Sequence, residues 1–160
     1  MRCAGGNEAL SYSIMNESAA TVIRNQALSI GFSHVGICSV EPGEQVSRLS
    51  EWLQAHYQGR MAYMENPKRL DPHSVVSNVR TIVVVGLNYR WPNGQERPQD
   101  GMISKYAWAE DYHRVMVPML ARLSERVLAF SPGGTVRTSV DTGPVVEKYW
   151  AQKAGIGWIG

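Results

Sequence analysis

The sequence has few cysteines, no long apolar run and no cluster of like charges. Its 160 residues include two cysteines, Cys3 and Cys38, which form no close pair, so the chain encodes neither a zinc nor an iron–sulfur framework. No apolar run approaches the roughly 20 residues that cross a bilayer. Residues 1–14 lack the basic start and the continuous apolar stretch of a signal peptide. These absences predict a protein of the reducing cytoplasm without a membrane segment.

The charge balance is only mildly basic. A formal net charge of +2 and a pI of about 8.6 permit a nucleic-acid partner, but no Lys/Arg run forms a clustered basic face. A content of 44% hydrophobic and 19% charged residues is that of an ordinary globular protein, and the length suits one domain. We interpret residues 1–15 as a disordered extension, with the true start at Met1 or Met15, and residues 16–160 as the domain.

Helical and strand patterns alternate along the chain. Apolar spacing and end signals predict helices over residues 17–30, 44–57, 111–130 and 144–154, and strands over 34–40, 81–87 and 135–140. The alternation predicts an α/β (α+β) fold with a mixed sheet flanked by helices. Residues 81–87 are apolar on both faces, which predicts a central strand. The long loop at 60–78 is of a length that is often functional.

Asp141 is the leading candidate for chemistry. It follows the third predicted strand, and open α/β sheets place their sites beyond the carboxyl ends of strands. Asp-Thr-Gly-Pro before a helix also suits simple capping, in which Asp141 is the N-cap and Pro144 the first helical residue. The alternative is a proton donor, which requires burial to favour the neutral carboxyl group. Both interpretations stay open on the residues alone.

Two further stretches have a structural and a functional interpretation. Residues 105–113 gather aromatics and charges before a helix, where Asp111 either caps the helix or helps to form a pocket wall around a flat ring. Residues 60–72 form either a solvated loop or an anion-binding surface that uses Lys68 and Arg69. The glycines at 155–160 do not match a dinucleotide fingerprint. There is also no Gly-x-Ser-x-Gly elbow, so a hydrolase is poorly supported.

Taken together, these segments resemble the epoxyqueuosine reductase family. The resemblance covers residues 19–160, and one of its motifs is Val140-Asp-Thr-Gly-Pro-Val-Val-Glu-Lys148. Each motif is modest alone, whereas six together are highly specific. Six stretches carry it in the same order and spacing as in the family: residues 31–37, 60–72, 80–89, 104–113, 140–148 and 151–160. Two departures are Ala109, where the family has Gly, and the end at Gly160, after which the family continues with cysteine-rich cluster motifs.

The resemblance implies a cobalamin-binding domain similar to nitroreductase-like and reductive-dehalogenase-like folds. It implies reduction of the epoxide of epoxyqueuosine to queuosine at the wobble position of tRNA. The implied cofactors are cobalamin and two 4Fe-4S clusters, whose ligands this sequence lacks. The implied partners are the tRNA and an external electron donor, with a monomeric, cytoplasmic protein. On this basis the chain is an N-terminal fragment, incomplete at its C-terminus and expected to be inactive alone.

The resemblance also assigns individual residues. Asp141 corresponds to the proton donor, and Arg69 to a basic residue that contacts cobalamin. The other implied cofactor contacts are Ser104, Tyr106, Asp141, Gly143 and Val146. Two alternative functions stay open: a flavin-dependent nitroreductase-like oxidoreductase, and a non-catalytic fragment that binds a corrinoid or RNA.

Overall fold

The computed structural model describes residues 18–41, 44–89, 104–141 and 143–159. The predicted extension at 1–15 lies outside these residues. The described residues form four α-helices and two strands. In chain order these are α1 (Ala19–Ile30), β1 (His34–Ser39), α2 (Glu44–Gln54), β2 (Thr81–Gly86), α3 (Tyr112–Phe130) and α4 (Glu147–Lys153).

The ends of α1 follow the signals in the sequence. The Ser18 side chain accepts a hydrogen bond from the Thr21 backbone N–H, which satisfies one of the free donors of the first turn. Gly31 ends the helix in the left-handed conformation at a φ of 114°, and its N–H bonds the last carbonyls. The predicted helix at 17–30 is therefore confirmed to within two residues.

The sheet is a single antiparallel pair among the described residues. β1 and β2 pair in a register that sets Val35 opposite Val85 and Gly36 opposite Val84. The predicted mixed sheet is therefore wrong for this part of the chain, and β2 has a strand neighbour along one edge only. The combination of helices with strands is confirmed.

The third predicted strand is absent from the described residues. Residues 134–139 have no regular secondary structure, and residues 135–138 are exposed. A strand needs a partner whose backbone groups complete the hydrogen-bond ladder. The short alternation of Thr and Val here predicted an extended backbone but contained no information about a partner. Strand formation at 135–140 was therefore a wrong prediction.

Helices cover both faces of the strand pair. On one face, α1 and α3 pack around Ala27, Phe32 and Leu123, which are at most 5% exposed, and half-buried Val35 and Val85 complete this core. Successive residues of a strand point to opposite faces, so Gly36 faces the other side. There a side chain at residue 36 would lie 2.7 Å from the Ala154 Cβ atom, just past the end of α4. The domain thus has three layers, with the strand pair in the middle.

α4 is tied to the sheet by its own side chains. Tyr149 and Trp150 are buried, and the Tyr149 hydroxyl and the Lys153 ammonium both donate to the carbonyl of Glu41, just after β1. The helix begins at Glu147, three residues later than the Pro144 start predicted from the sequence. No described helix is long and apolar enough to cross a membrane.

Candidate active site

Asp141 has an unusual backbone conformation in the segment that joins α3 to α4. Its φ is +54°, in the left-handed region that residues other than glycine seldom occupy. It does not cap α4, because that helix begins six residues later with Val146 at its N-cap. The capping interpretation of Asp141 is therefore wrong. Its side chain is 57% exposed rather than enclosed. The burial that the proton-donor interpretation required is therefore not present in this structure, and the carboxyl group is open to a substrate.

The Asp141 carboxylate is held by the start of α3. The Tyr112 hydroxyl donates a hydrogen bond to Asp141 Oδ2. This bond, together with the negative charge beside it, raises the pKa of Tyr112 from 10.0 to about 12, because the carboxylate favours the protonated phenol. Since Oδ2 is occupied and Asp141 Oδ1 bonds no described residue, Oδ1 is the oxygen left to face another molecule.

His113 lies on the same side of Asp141. Its ring stacks on Tyr112, with the ring centroids 4.3 Å apart. Its Nδ1 lies 2.8 Å from Asp111 Oδ1, while its Nε2 lies 3.9 Å from Asp141 Oδ2. Asp111 also caps α3 by accepting from the His113 backbone N–H. Hydrogen bonds from His113 hold the pKa of Asp111 below its ordinary value.

These contacts were only partly visible in the sequence. The capping role of Asp111 is confirmed, and residues 105–113 were also predicted to form a pocket wall. The pairing of Tyr112 and His113 with Asp141 was missed. The residues are separated by almost 30 positions, and no local pattern links them. Only the fold brings the start of α3 to Asp141.

Ser104 and Tyr106 extend the same surface. Tyr106 makes an edge contact with Tyr112, at a centroid distance of 6.3 Å, and another with Tyr89 at 6.5 Å. Ser104 precedes the short 3₁₀ helix Lys105–Ala107, and its side chain makes no capping bond there. Both residues are exposed. The structure therefore connects Tyr106 to Asp141 through Tyr112, and Ser104 lies two residues before Tyr106 at the start of the same short helix.

Arg69 contacts the segment between Asp141 and α4. It lies in the 3₁₀ helix Pro67–Arg69, within the loop that was predicted to be functional. Its Nη1 donates to the Val145 carbonyl at 3.1 Å and its Nε to the Tyr63 carbonyl at 3.2 Å. Arg69 thus fixes the backbone between Asp141 and α4. Among the described residues, its Nη2 makes no hydrogen bond, so that nitrogen is left for an anion.

Gly143 and Val146 lie in the turn that Arg69 holds. A side chain at residue 143 would overlap the Ser139 hydroxyl, so the turn itself requires a glycine there. The family resemblance implied instead that Gly143 is a cofactor contact. Val146 is half-buried and adopts a non-helical conformation before α4.

These predicted residues are exposed or half-buried, and the surface that they form is called the open face. A cavity of about 310 Å³ lies elsewhere, between α4 and the segment that follows it. The open face offers exposed aromatic rings, an accessible carboxylate and the Arg69 Nη2 atom, which bonds no other described residue. Such groups fit a large planar cofactor that carries amides and a phosphate. No group of three or more His, Cys, Asp or Glu side chains that could hold a metal occurs in the described ranges.

Comparisons with known proteins agree on one family. Residues 69–142 match the family model described as epoxyqueuosine reductase QueG, DUF1730. An epoxyqueuosine reductase of Gloeobacter violaceus is 41% identical over 143 residues, which are 88% of this chain and 45% of that protein. One from Leadbetterella byssophila is 41% identical over 144 residues, covering 86% of this chain and 46% of that protein.

The fold of this chain is similar to that of a solved structure. The solved structure of epoxyqueuosine reductase from Streptococcus thermophilus matches with a TM-score of 0.73 and 23% identity, over 90% of this chain and 40% of that one. The chain therefore spans a little less than half the length of the proteins it matches. The resemblance read from the sequence is confirmed: this chain is similar to one part of the epoxyqueuosine reductases.

Proposed function

We propose that this chain forms the part of an epoxyqueuosine reductase that presents a proton donor to the substrate. The reaction converts the epoxide of epoxyqueuosine in tRNA into the carbon–carbon double bond of queuosine. It consumes two electrons and two protons and releases the epoxide oxygen as water. The observation that carries the proposal is the accessible Asp141 carboxyl group, held by Tyr112 within the segment that matches the family.

Asp141 is assigned the transfer of a proton to the epoxide oxygen as its bond to carbon breaks. A departing alkoxide is a strong base, so protonation in step with bond breaking lowers the barrier. With Oδ2 bound to Tyr112, Oδ1 is the oxygen that carries the proton. His113 is anchored to Asp111, and its Nε2 lies 3.9 Å from Asp141 Oδ2, the oxygen that already accepts from Tyr112.

The residues assigned to cobalamin border the same face. Arg69 is suited to a phosphate through Nη2, and Ser104 offers a hydroxyl group to an amide substituent. Tyr106 presents a ring edge for apolar contact, while Gly143 and Val146 shape the turn beside Asp141. When bound, cobalamin supplies low-valent cobalt as the two-electron reductant of the epoxide.

The remaining parts of the proposed reaction lie outside this sequence. Each 4Fe-4S cluster takes four cysteines, and the chain has two cysteines in all. We therefore assign the two clusters, and the route of electrons from an external low-potential donor, to protein beyond these residues. A monomer in the cytoplasm that acts on tRNA completes the proposal.

Cobalamin binding is the first test. Cobalamin is added to the purified chain, and its visible spectrum is recorded against the free cofactor. A shifted corrinoid spectrum supports the assignment of the open face. A yellow protein as purified, with no corrinoid shift, contradicts it in favour of a flavin enzyme. If the cobalamin spectrum is unchanged and the purified protein is not yellow, binding by these residues alone is contradicted.

The role of Asp141 is tested with the whole gene product that contains this sequence. It is expressed in a bacterium that lacks epoxyqueuosine reductase, and the nucleosides of digested tRNA are measured by mass spectrometry. We expect Asp141→Asn to abolish queuosine formation while bound cobalamin is retained, because an amide cannot supply the proton. Exposed Glu125 on α3 provides the control Glu125→Gln, which should leave queuosine unchanged. Normal turnover by Asp141→Asn would refute the assignment.

A further inference from the structure

Four aromatic rings form a continuous row that ends beside Asp141. The row consists of Tyr89, Tyr106, Tyr112 and His113, each in contact with the next, and is called the aromatic row. It begins three residues after the end of β2 and reaches the first turn of α3. There the Tyr112 hydroxyl donates to the Asp141 carboxylate. The row therefore connects an exposed tyrosine at its outer end to the proposed proton donor.

Tyr89 is the outer member of the aromatic row. Its side chain is 58% exposed, and that of its neighbour Tyr106 is 53% exposed. The two ring planes meet at 80°, an edge geometry that aromatic pairs prefer. A phenol ring has two faces, and Tyr106 can cover only one face of Tyr89. Because the edge contact partly orders Tyr89 before a ligand arrives, less entropy is lost when its other face is covered.

The shape of the ring face favours a nucleobase as the ligand of Tyr89. A nucleobase is flat and bare on both faces, and proteins commonly hold the unpaired bases of RNA by stacking them on aromatic side chains. A corrin carries methyl groups and amide arms on both faces, which keep a phenol ring from stacking on it. The ring edge that we assign to cobalamin at Tyr106 and the ring face of Tyr89 therefore suit different ligands.

A positive charge accompanies the rings. Lys105 immediately precedes Tyr106, is exposed, and forms no ion pair with another described residue. Arg114, in contrast, lies 3.6 Å from the carboxylate of Glu110. Proteins that hold single-stranded nucleic acid combine cations for the phosphates with rings for the bases. Lys105 thus adds the second of these two features to the first.

We propose that Tyr89 stacks on a base of the substrate RNA next to the nucleotide that reacts at Asp141. This binding role rests on the proposed function, in which Asp141 protonates an epoxide carried by a nucleotide of tRNA. An enzyme that acts on a base takes that base out of its stack, so the neighbouring base loses a stacking partner. Tyr89, two ring contacts from Tyr112, replaces that partner. It takes no part in proton transfer.

RNA binding by the whole gene product tests this role. The probe is a fluorescent stem-loop RNA with the sequence of a tRNA anticodon loop, and anisotropy gives its Kd. We expect Tyr89→Ala to raise Kd about 10-fold or more, the scale of one base stacked on an aromatic side chain. Tyr89→Phe keeps the ring and should retain the affinity. The control Tyr57→Ala removes a tyrosine that is 71% exposed outside the row and should leave Kd unchanged.

Stem-loops that lack one base identify the partner of Tyr89. Two RNAs are made, each abasic on one side of the wobble position. The unsubstituted protein should bind one of them about as weakly as Tyr89→Ala binds the intact RNA, and Tyr89→Ala should cause little further loss on that RNA. The first comparison requires no variant to fold. If Tyr89→Ala weakens binding of both abasic RNAs as much as that of the intact RNA, stacking on a neighbouring base is refuted.

Salt dependence separates the ring from the charge. Lys105→Ala should lower the slope of log K against log salt by about 0.7, the contribution of one phosphate contact to a single strand. Tyr89→Ala removes no charge and should keep the slope of the unsubstituted protein. A lower slope in Tyr89→Ala would mean that the substitution disturbs phosphate contacts, and it would count against stacking.

Turnover and cofactor binding distinguish the remaining outcomes. We expect Tyr89→Ala to raise KM for tRNA about 10-fold with kcat retained, whereas Asp141→Asn loses kcat. If Tyr89→Ala leaves the Kd of the intact RNA unchanged while the protein still forms queuosine, the stacking role is refuted and the proposed function stands. If Tyr89→Ala weakens cobalamin binding instead, Tyr89 is a cofactor contact and the role is again refuted. If the unsubstituted protein neither binds the RNA nor forms queuosine, the proposed function itself fails.

Discussion

The helix–strand core has regular local structure, whereas the turn before α4 departs from it. The core of α1, β1, β2 and α3 encloses Ala27, Phe32 and Leu123, and its first helix has regular caps at both ends. The turn from Ser139 to Glu147 contains a left-handed aspartate. It also holds two of the three buried side-chain atoms that lack a partner among the described residues, Ser139 Oγ and Glu147 Oε1.

The difference indicates that the core provides the stability of this domain, whereas the turn carries its proposed function. In the core, local preference and packing favour the same structure. In the turn, each departure from local preference costs free energy, and the departures lie beside the residues that we assign to chemistry. Natural proteins tend to break local rules at functional sites. Three measurements test whether the two regions differ as described.

The largest expected effect is in the core. Leu123→Ala removes a side chain that is 5% exposed and should lower the free energy of unfolding by about 2–5 kcal/mol, through lost burial and the cavity left behind. Leu128→Ala, on the same helix but 38% exposed, should cost well under half as much. Urea unfolding followed by circular dichroism measures both. Equal costs would mean that Leu123 is not part of a tightly packed core.

A smaller effect is expected at Gly143. An added methyl group would overlap the Ser139 side chain, so Gly143→Ala should cost about 1–3 kcal/mol of unfolding free energy. Gly157→Ala has open space around it and should be nearly neutral. The double variant Ser139→Gly/Gly143→Ala removes the overlapping atoms and should recover part of the loss. If the double variant recovers none of the lost unfolding free energy, the overlap with Ser139 is not the reason why residue 143 is a glycine.

The smallest effect concerns pH. Because the pKa of Tyr112 is raised from 10.0 to about 12 in the folded chain, the folded state keeps a proton that the unfolded state has released. This contribution to stability is complete below pH 10 and is lost as the pH rises toward 12. Asp141→Asn should lower the pKa of Tyr112 toward 10, measured by absorbance titration, with Tyr112→Phe to identify the signal. An unaltered titration would mean that Asp141 does not hold Tyr112.

The parts of the structure that were predicted correctly depend on neighbours in sequence. Ser18 and Gly31 mark the ends of α1, and Asp111 marks the start of α3, because caps act over a few residues. The strands at His34 and Thr81 follow from short runs of β-branched residues. The predicted bounds of these elements agree with the structure to within one or two residues.

The parts that were missed depend on distant partners. Thr135–Val140 has the composition of a strand, but no sequence pattern shows whether a partner edge exists. Pro144 suits the first turn of a helix, yet the Val145 carbonyl is taken by Arg69, 76 residues earlier. The pairing of Tyr112 with Asp141 is equally remote. Local sequence made Asp141 and Arg69 candidates, the family resemblance gave them specific roles, and those roles stay predictions.

The contact between Gly36 and Ala154 has a consequence at a distance. Any side chain at residue 36 would push the C-terminal end of α4 away from β1. Because α4 is only seven residues long, its first residue, Glu147, would shift with it. We therefore expect glycine at residue 36 wherever relatives keep an aspartate equivalent to Asp141, although the two residues belong to different elements and never touch.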